Sequence, residues 1–377
     1  ITPLSRNSPY RNSQTAGPFS ATSNPLPNLA NAFSGNPSAT PPGIAQNFVS
    51  SYTNEWSFGI QRELASNLLL DVSYVGNESH KLPIIWNLNQ AFPGTVGTAQ
   101  SRRPYQPWGN ITGGFISSIG NANYNGLQLR VERRFATGLS FIASYAWSKS
   151  IDTGANISTS GNNSNASAQD ARNLLGDRSL SDYNVPQRFV GSFVWDLPGA
   201  KSNKALSFVT SGWQLKGIFT AQEGQPFTVY DGIDQSSTGA NNDRPNVIGD
   251  WHVANPGVSG WFNTCTILAN GNRSNCQPGQ NPAWQIQPAG TFGNAGRNIL
   301  SGPGLLNFDT GVSRQFRLTE RFSLQFRGEM FNVMNRANFF LPATSVSSSS
   351  YGTITQAADQ PNTGAQRQIQ FALKVVF

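Results

Sequence analysis

The feature that most constrains this chain is a strict two-residue alternation of apolar and polar side chains, sustained over long segments. Trp56, Phe58 and Ile60 alternate with small or polar residues, and the last segment closes on Val375 and Phe377 in the same way. Successive side chains of a β-strand point to opposite faces of the sheet, so each segment predicts a strand with one apolar and one polar face. Short polar breaks between segments predict hairpins.

The predicted strands number about nine, and most are about ten to thirteen residues long, whereas globular strands average about five or six. Spanning a bilayer takes about nine to eleven residues. The connections alternate in length, as in outer-membrane barrels with short periplasmic turns and long extracellular loops. The short connections fall near 63–67, 135–138, 198–211 and 317–320, and the long ones near 76–121, 150–184, 231–303 and 334–365. The sequence therefore predicts an all-β fold, an antiparallel transmembrane β-barrel.

The composition by itself resembles that of a soluble protein, with 37% hydrophobic residues, 12% charged residues and a mean hydropathy of −0.36. No segment approaches the ~18 to 20 apolar residues that a spanning helix needs. The net charge of +7 comes from scattered residues without a basic block, so we expect no nucleic-acid partner. In a barrel, polar lumen-facing residues and long loops explain the low hydropathy.

Two further patterns favour lipid around the apolar face. Arg62, Arg133 and Arg314 lie on the apolar register before the periplasmic turns and are predicted to reach the headgroups, although they could be ordinary solvated turn charges. Aromatic residues recur at the strand ends, as in the interfacial girdles of barrels. The predicted girdle residues are Trp56, Tyr74, Tyr124, Tyr145 and Trp147 at the extracellular ends, and Trp195, Trp213, Phe316, Phe322 and Phe377 at the periplasmic ends. The alternative is a soluble, secreted all-β adhesin or carbohydrate-binding protein with its aromatic residues inside.

The two cysteines, Cys265 and Cys276, lie close together in a loop rich in Asn and Gly, which predicts a disulfide and an oxidising compartment. Two free thiols in a reducing compartment are the alternative. The only histidines, His80 and His252, lack the spacing of zinc ligands relative to this pair. We expect no metal and no cofactor.

No catalytic motif is present, so we expect no enzyme. Glu223 and Asp231 flank a strand end, but lone carboxylates are usually solvated. Aromatic residues in the long loops could stack on a sugar or peptide ligand, although packing of the loops against each other is the favoured interpretation. These residues are Trp86, Tyr105, Trp108, Trp251, Trp261 and Trp284.

An ordered set of motifs runs from Asn54 to Phe377 and carries a family resemblance. The set comprises NEWSFGIQREL (54–64), VSYVGNESHKL (72–82), NLNQ (87–90), YNGLQLRVERRF (124–135), GLSFIASYAWSKSID (138–152), SDYNVPQRFVGSFVWDLP (181–198), GWQLKGIFTAQEGQPFTV (212–229), FGNAGRNILSGPGLLNFD (292–309), LQFRGEMFNVMNRANF (324–339) and RQIQFALKVVF (367–377). In this set the chain resembles the C-terminal β-barrel part of TonB-dependent outer-membrane receptors, most closely the Oar-like branch.

The resemblance implies an outer-membrane protein that takes up a ligand (a sugar, peptide or chelate) through a plug-gated barrel, powered by a TonB-type energy-coupling protein. Phe371, Leu373, Val375 and Phe377 resemble the C-terminal signal that the barrel-insertion machinery recognises, although a plain amphipathic edge strand is the alternative. We expect residues 1–51 to form an irregular extracellular segment and residues 52–377 to form the C-terminal part of the barrel. Family barrels have roughly 22 strands, so we expect a fragment from which the plug, the TonB box and the N-terminal domain are absent.

Overall fold

The computed structural model describes residues 43–106, 109, 115–136, 138–154, 168–199, 204–357 and 366–376. Nine long strands dominate it, in agreement with the alternation of the sequence. They are β1 (Tyr52–Ala65), β2 (Leu68–Trp86), β3 (Phe115–Ala136), β4 (Leu139–Asp152), β5 (Gln187–Asp196), β6 (Trp213–Gln222), β7 (Leu305–Arg317), β8 (Ser323–Phe331) and β9 (Gln368–Val376).

The nine strands form one sheet in which every strand pairs antiparallel with its neighbour in the chain. In the described part of the chain, β1 and β9 are the two outer strands of this sheet, which is therefore an open segment of barrel wall. The predicted all-β, antiparallel barrel architecture is confirmed.

The connections alternate in length as predicted, and the short ones all lie at one end of the sheet, the end expected to be periplasmic. The short connections cover 66–67, 137–138, 197–212 and 318–322, and the long ones cover 87–114, 153–186, 223–304 and 332–367. One prediction about strand length was wrong, since β2 and β3 continue pairing far into the loop expected at 76–121. Beyond the membrane both faces of a strand meet water, so the alternation ends there although the hydrogen-bond ladder continues.

Short elements occupy the connections. A seven-residue helix, α1 (Lys204–Thr210), lies within the 197–212 connection, where the sequence predicted a short connection without a helix. Turns of 3₁₀ helix cover Gln100–Arg102 and Leu174–Asp177. Two-residue strands cover Gly43–Ile44, Ser179–Leu180, Pro226–Phe227, Asn246–Val247, Thr266–Ile267, Arg273–Ser274, Trp284–Gln285 and Leu300–Ser301. No helix among the described residues is long and apolar enough to cross a membrane.

The pairing register gives the sheet one apolar face, here called the outward face, and one polar face. Phe326 of β8 pairs with Leu373 on one side and with Arg314 on the other, and Arg314 pairs with Trp213. Outward-facing side chains are widely exposed, for example 69% at Phe58 and 73% at Phe371. Tyr124 shares its register with Gly126 and Gln128 of the polar face, so its assignment to the outward aromatic girdle was wrong.

Candidate functional site: the polar face and the extracellular loop cluster

The polar face carries charges from strands that are not adjacent. Lys216 Nζ of β6 lies 2.6 Å from Glu329 Oε1 of β8, and the pair bridges over Gly311 of β7. A Cβ at position 311 would lie 2.7 Å from Lys216 Cε, so the lysine side chain would have to shift to make room for a larger residue there. Glu329 Oε2 also accepts a hydrogen bond of 2.8 Å from Gln370 Nε2 of β9. Polar side-chain contacts thus link β6, β8 and β9 on this face and pass over β7.

The same face is concave. A cavity of about 680 Å³ is lined by the charged side chains of Lys216, Asp309 and Glu329 together with apolar ones such as Ile142 and Ile218. Such charged groups stay hydrated in a watered lumen, whereas burying the unpaired ions in a dry core would cost several kcal/mol each. The charged groups therefore favour a hydrated polar face.

Above the sheet, the long connections fold together into one body, here called the loop cluster (87–106, 168–186, 223–304 and 332–357). Its core combines side chains from the third and fourth long connections. The fully buried Phe227 and Trp284 pack around Phe262, whose ring lies 5.3 Å from that of Tyr351. The loop cluster is thus organised like a small soluble domain around an apolar interior.

The first and second long connections join this body through amide side chains. Gln90 Nε2 donates to the carbonyl of Gln169 at 2.9 Å, and Gln90 Oε1 accepts from the Ala171 amide at 2.6 Å. Gln169 Oε1 in turn accepts from the Arg244 amide at 2.7 Å. These buried amide side chains supply hydrogen-bond partners to backbone N–H and C=O groups that have no neighbouring strand to pair with.

Buried ion pairs anchor the loop cluster to the barrel wall. Arg297 pairs with Asp152, the last residue of β4, and its Nη1 lies 3.3 Å from Asp182 Oδ1. The Arg297 Nε atom donates to the carbonyl of Asp177 at 3.0 Å, and the Asp177 carboxylate pairs with Arg244 at 2.5 Å. The side chains of these five residues are at most 10% exposed. Removing one member of a buried pair costs far more than removing a surface charge.

Two further aspartates of the loop cluster are buried close to each other. Burial, opposed by a hydrogen bond from Gln287 and aided by the neighbouring Asp243 carboxylate, raises the pKa of Asp231 to about 7. Burial likewise raises the pKa of Asp243 to about 6, although it accepts hydrogen bonds from the amide and hydroxyl of Ser236. The Asp231 Oδ1 atom is buried without a hydrogen-bond partner among the described residues. Near neutral pH, the Asp231 carboxyl is therefore about half protonated.

A family model described as an outer membrane beta barrel domain matches residues 1–370. The chain belongs to this family. The protein is therefore located in the outer membrane, and the outward face of the sheet contacts lipid. The family also removes the alternative of a soluble, secreted adhesin.

Solved structures with a similar fold are larger outer-membrane proteins. The outer membrane transporter YddB from Escherichia coli is 13% identical with a TM-score of 0.41, over 88% of this chain and 33% of that chain. The ferripyoverdine receptor of Pseudomonas aeruginosa is 11% identical with a TM-score of 0.40, over 86% of this chain and 27% of that one. BauA, the ferric preacinetobactin receptor from Acinetobacter baumannii, is 11% identical with a TM-score of 0.40, over 86% of this chain and 29% of that one. The chain spans about a third or less of these proteins' length. No curated protein matches it.

The barrel places the predicted loop aromatics in different environments. Trp86 is the final residue of β2 rather than a loop residue, and its Nε1 donates to Ser117 Oγ at 3.0 Å. Trp284 is fully buried and stacks on Trp251, with 6.0 Å between the ring centroids. Trp261 packs against the same core and donates from Nε1 to the carbonyl of Ser301. Loop packing therefore accounts for Trp251, Trp261 and Trp284. Among these aromatics, the structure leaves Tyr105 half exposed, at 50%, and Trp108 lies outside the described residues.

Cys265 and Cys276 are joined by a disulfide, with Cα atoms 4.0 Å apart. Cys265 is fully buried, and its amide and carbonyl take part in the hydrogen bonds of the loop core. The bond thus closes a hairpin at the edge of the loop cluster. In the described part of the chain, His, Cys, Asp and Glu side chains form no group of three that could hold a metal ion.

Two expectations about charged residues were wrong. Asp231, expected to be solvated, is 1% exposed, because residues from three distant segments close over it. Arg314, expected at the headgroups, is 8% exposed and donates to carbonyls of α1. No periodic pattern of residues indicates either contact. The buried Arg244 and Arg297 were missed for the same reason.

The terminal strand follows its predicted register. Phe371, Leu373 and Val375 point outward from β9 and are 73%, 67% and 54% exposed. Phe377 lies outside the described residues. Recognition of these residues by the barrel-insertion machinery stays a prediction.

Proposed function

We propose that this chain is the C-terminal barrel part (52–377) of an Oar-like, TonB-dependent receptor that imports a ligand across the outer membrane. The observation that carries the proposal is the combination of a hydrated, concave polar face with a folded loop cluster above it. A passage alone would suffice for a porin. A loop cluster with its own core and buried ion pairs supplies a rigid surface on which a ligand can be captured.

The ligand class that fits this surface is a polar solute with apolar faces, such as a sugar, a peptide or a chelate. Tyr105 presents a half-exposed ring, and the neighbouring Asn89 side chain bonds the Tyr105 amide at 2.8 Å and so fixes this loop. Aromatic rings combined with amide side chains bind such ligands by stacking and hydrogen bonding. Since these groups neither activate a nucleophile nor transfer protons, the proposed activity is transport rather than catalysis.

The partners of the whole receptor follow from the same proposal. A plug and a TonB box in the N-terminal part would gate the lumen and bind the energy-coupling protein. The predicted C-terminal insertion signal would direct the barrel to the insertion machinery. Its residues are Phe371, Leu373, Val375 and Phe377. Of the segment expected at residues 1–51, residues 1–42 lie outside the described part of the chain.

Uptake in whole cells tests the proposal. Cells with the full-length receptor, cells without it, and cells lacking the TonB-type protein are supplied with three labelled probes: an oligosaccharide, a peptide and a ferric chelate. We expect one probe to accumulate only when both the receptor and the energy-coupling protein are present. Accumulation that needs the receptor but not the energy-coupling protein would instead identify a passive channel.

A further inference from the structure

The helix α1 lies on the outward face of the barrel wall, at its periplasmic end. Its connection leaves β5 after Asp196 and enters β6 at Trp213, which pairs with Arg314 of β7. Strand β7 continues for three more residues, which pair with β8 but not with β6. The Phe208 ring of α1 lies 6.3 Å from the outward ring of Phe316 in this extension. The helix therefore lies beside the strand ends, where the lipid-facing surface meets the periplasm.

Arg314 holds the helix in this position. Its Nη1 donates to the carbonyl of Val209 at 2.7 Å, and its Nη2 donates to the carbonyl of Phe208. Carbonyls at the C-terminal end of a helix lack intrahelical partners and carry partial negative charge, so a guanidinium is a suitable partner. The Arg314 side chain also lies against three aromatic rings, those of Phe208, Trp213 and Phe316, at 4.4 to 5.5 Å.

A second contact fixes the same end of the helix. Trp213 Nε1 donates to the carbonyl of Val209 at 2.9 Å. Both donors belong to outward-facing residues of the wall, so the helix is attached to the surface that lipid covers. Despite these attachments, the Phe208 and Val209 side chains remain 66% and 61% exposed.

We propose that α1 is an interfacial helix that lies in the periplasmic leaflet of the outer membrane, with Phe208 and Val209 inserted among the acyl chains. Arg314 is the positioning residue. The occupant is lipid because the exposed side chains continue the outward face, which contacts lipid in this family. Leu318 and Phe322, at the neighbouring β7–β8 turn, extend the same apolar border and are 61% and 48% exposed.

This arrangement also explains how an arginine is accommodated on the apolar register. An arginine on the lipid face of a barrel is most costly at the bilayer midplane and least costly near the interface. At Arg314, helix carbonyls and aromatic rings replace the headgroups as partners. The apolar side chains of the helix then face the lipid in place of the charge.

A nitroxide label at Val209→Cys tests the lipid contact in the full-length receptor reconstituted into phospholipid vesicles. Because Cys265 and Cys276 are joined to each other, neither cysteine of this chain competes with the introduced thiol for the label. Collisions with oxygen, which partitions into lipid, are compared with collisions with a water-soluble nickel chelate. Phe371→Cys on the outward face and Val96→Cys in an extracellular loop, 85% exposed, are the matched lipid and water controls.

We expect the oxygen-to-nickel ratio at position 209 to match that at position 371 and to exceed severalfold that at position 96. A ratio equal to that at position 96 would overturn the proposal. A label that is protected from the nickel chelate in whole cells but accessible to it in vesicles would indicate that a periplasmic protein, rather than lipid, covers the helix. That result would also overturn the proposal.

The role of Arg314 is tested in the same labelled background. Arg314→Gln should lower the ratio at position 209 and leave that at position 371 unchanged, because the helix loses its attachment while the wall stays folded. Heat-modifiable gel mobility verifies the folded barrel. Arg314→Lys keeps the charge but loses the two-pronged contact, so we expect an intermediate ratio. An unchanged ratio in Arg314→Gln would refute the positioning role.

Discussion

The barrel wall and the loop cluster are stabilised in opposite ways, although one chain forms both. In the wall, apolar side chains such as Phe58 and Phe371 point away from the protein, and the strands are held by backbone pairing. In the loop cluster, Phe227 and Trp284 are fully buried, and regular strands are only two residues long. The wall relies on the membrane to cover its apolar face, whereas the cluster supplies its own interior. Substitutions should therefore affect the two regions independently.

The largest effect is expected from Arg297→Ala in the loop cluster. The substitution leaves Asp152 and Asp182 buried without their cation, and breaking a buried pair costs about 3–5 kcal/mol. Hydrogen exchange should show a matching loss of protection in the cluster, while the amides of β6 to β8 stay protected. Arg178→Ala is the control, because Arg178 is exposed and donates one hydrogen bond to Asn123. Equal loss of protection in the wall would show that the two regions are not independent.

This division also marks what the sequence could predict. The alternation at Trp56, Phe58 and Ile60 is local, so strand identity, register and outward face followed from a few neighbouring residues. Arg297, by contrast, forms an ion pair with Asp152, which lies 145 residues away in the sequence. Gln90 reaches Thr238 at a separation of 148. No short-range period encodes such contacts, so the loop cluster could be predicted only as long loops.

Arg314 combines a feature that local alternation predicts with a contact that it does not predict. Its outward register was predictable because it belongs to an alternating strand. Its partners were not, because α1 is only seven residues long and has no sustained helical period. The predicted site residues divide in the same way: Phe371, Leu373 and Val375 keep their expected face, while Trp284 lies in a core that only the folded loops create.

The second prediction concerns pH and again separates the two regions. In the unfolded chain the pKa of Asp231 has its ordinary value of 3.8, and folding raises it to about 7. Between these values the folded cluster binds more protons than the unfolded chain, so its stability falls as pH rises. The stabilising contribution is fully present below about pH 4 and is lost through pH 6 to 7, where Asp243 and Asp231 ionise.

Hydrogen exchange of the loop cluster between pH 4 and 8, corrected for intrinsic rates, measures this dependence. We expect a loss of a few kcal/mol in the native protein and a smaller one in Asp231→Asn, which removes one titrating group at nearly constant shape. Asp250→Asn is the control, because Asp250 is exposed and the pKa of its carboxyl is lowered by hydrogen bonds from His252. A pH dependence that Asp231→Asn leaves unchanged would exclude this pair as its source.

The third prediction addresses the wall alone. Leu373→Arg places a charge on the outward face of β9 and should destabilise the barrel in lipid by up to about 2–4 kcal/mol, less if the site lies near the interface. The measurement is the urea dependence of unfolding from phospholipid vesicles. The neighbouring Lys374 points to the polar face, so Lys374→Arg should have almost no effect. A similar cost at both positions would contradict the assignment of the two faces.

The smallest effect is expected at the polar face itself. The Lys216 and Glu329 side chains are 39% and 25% exposed, so solvent screens their ion pair, and Lys216→Ala should cost about 0.2–1 kcal/mol in stability. The same substitution removes a cation from the concave surface that we propose as the passage. We therefore expect nearly unchanged unfolding in urea but altered uptake of an anionic probe relative to a neutral one of equal size. Gln214→Ala, on the same face of β6, is the uncharged control. A large loss of stability with unchanged selectivity would mean that Lys216 supports the wall rather than the passage, and that this face is packed instead of hydrated.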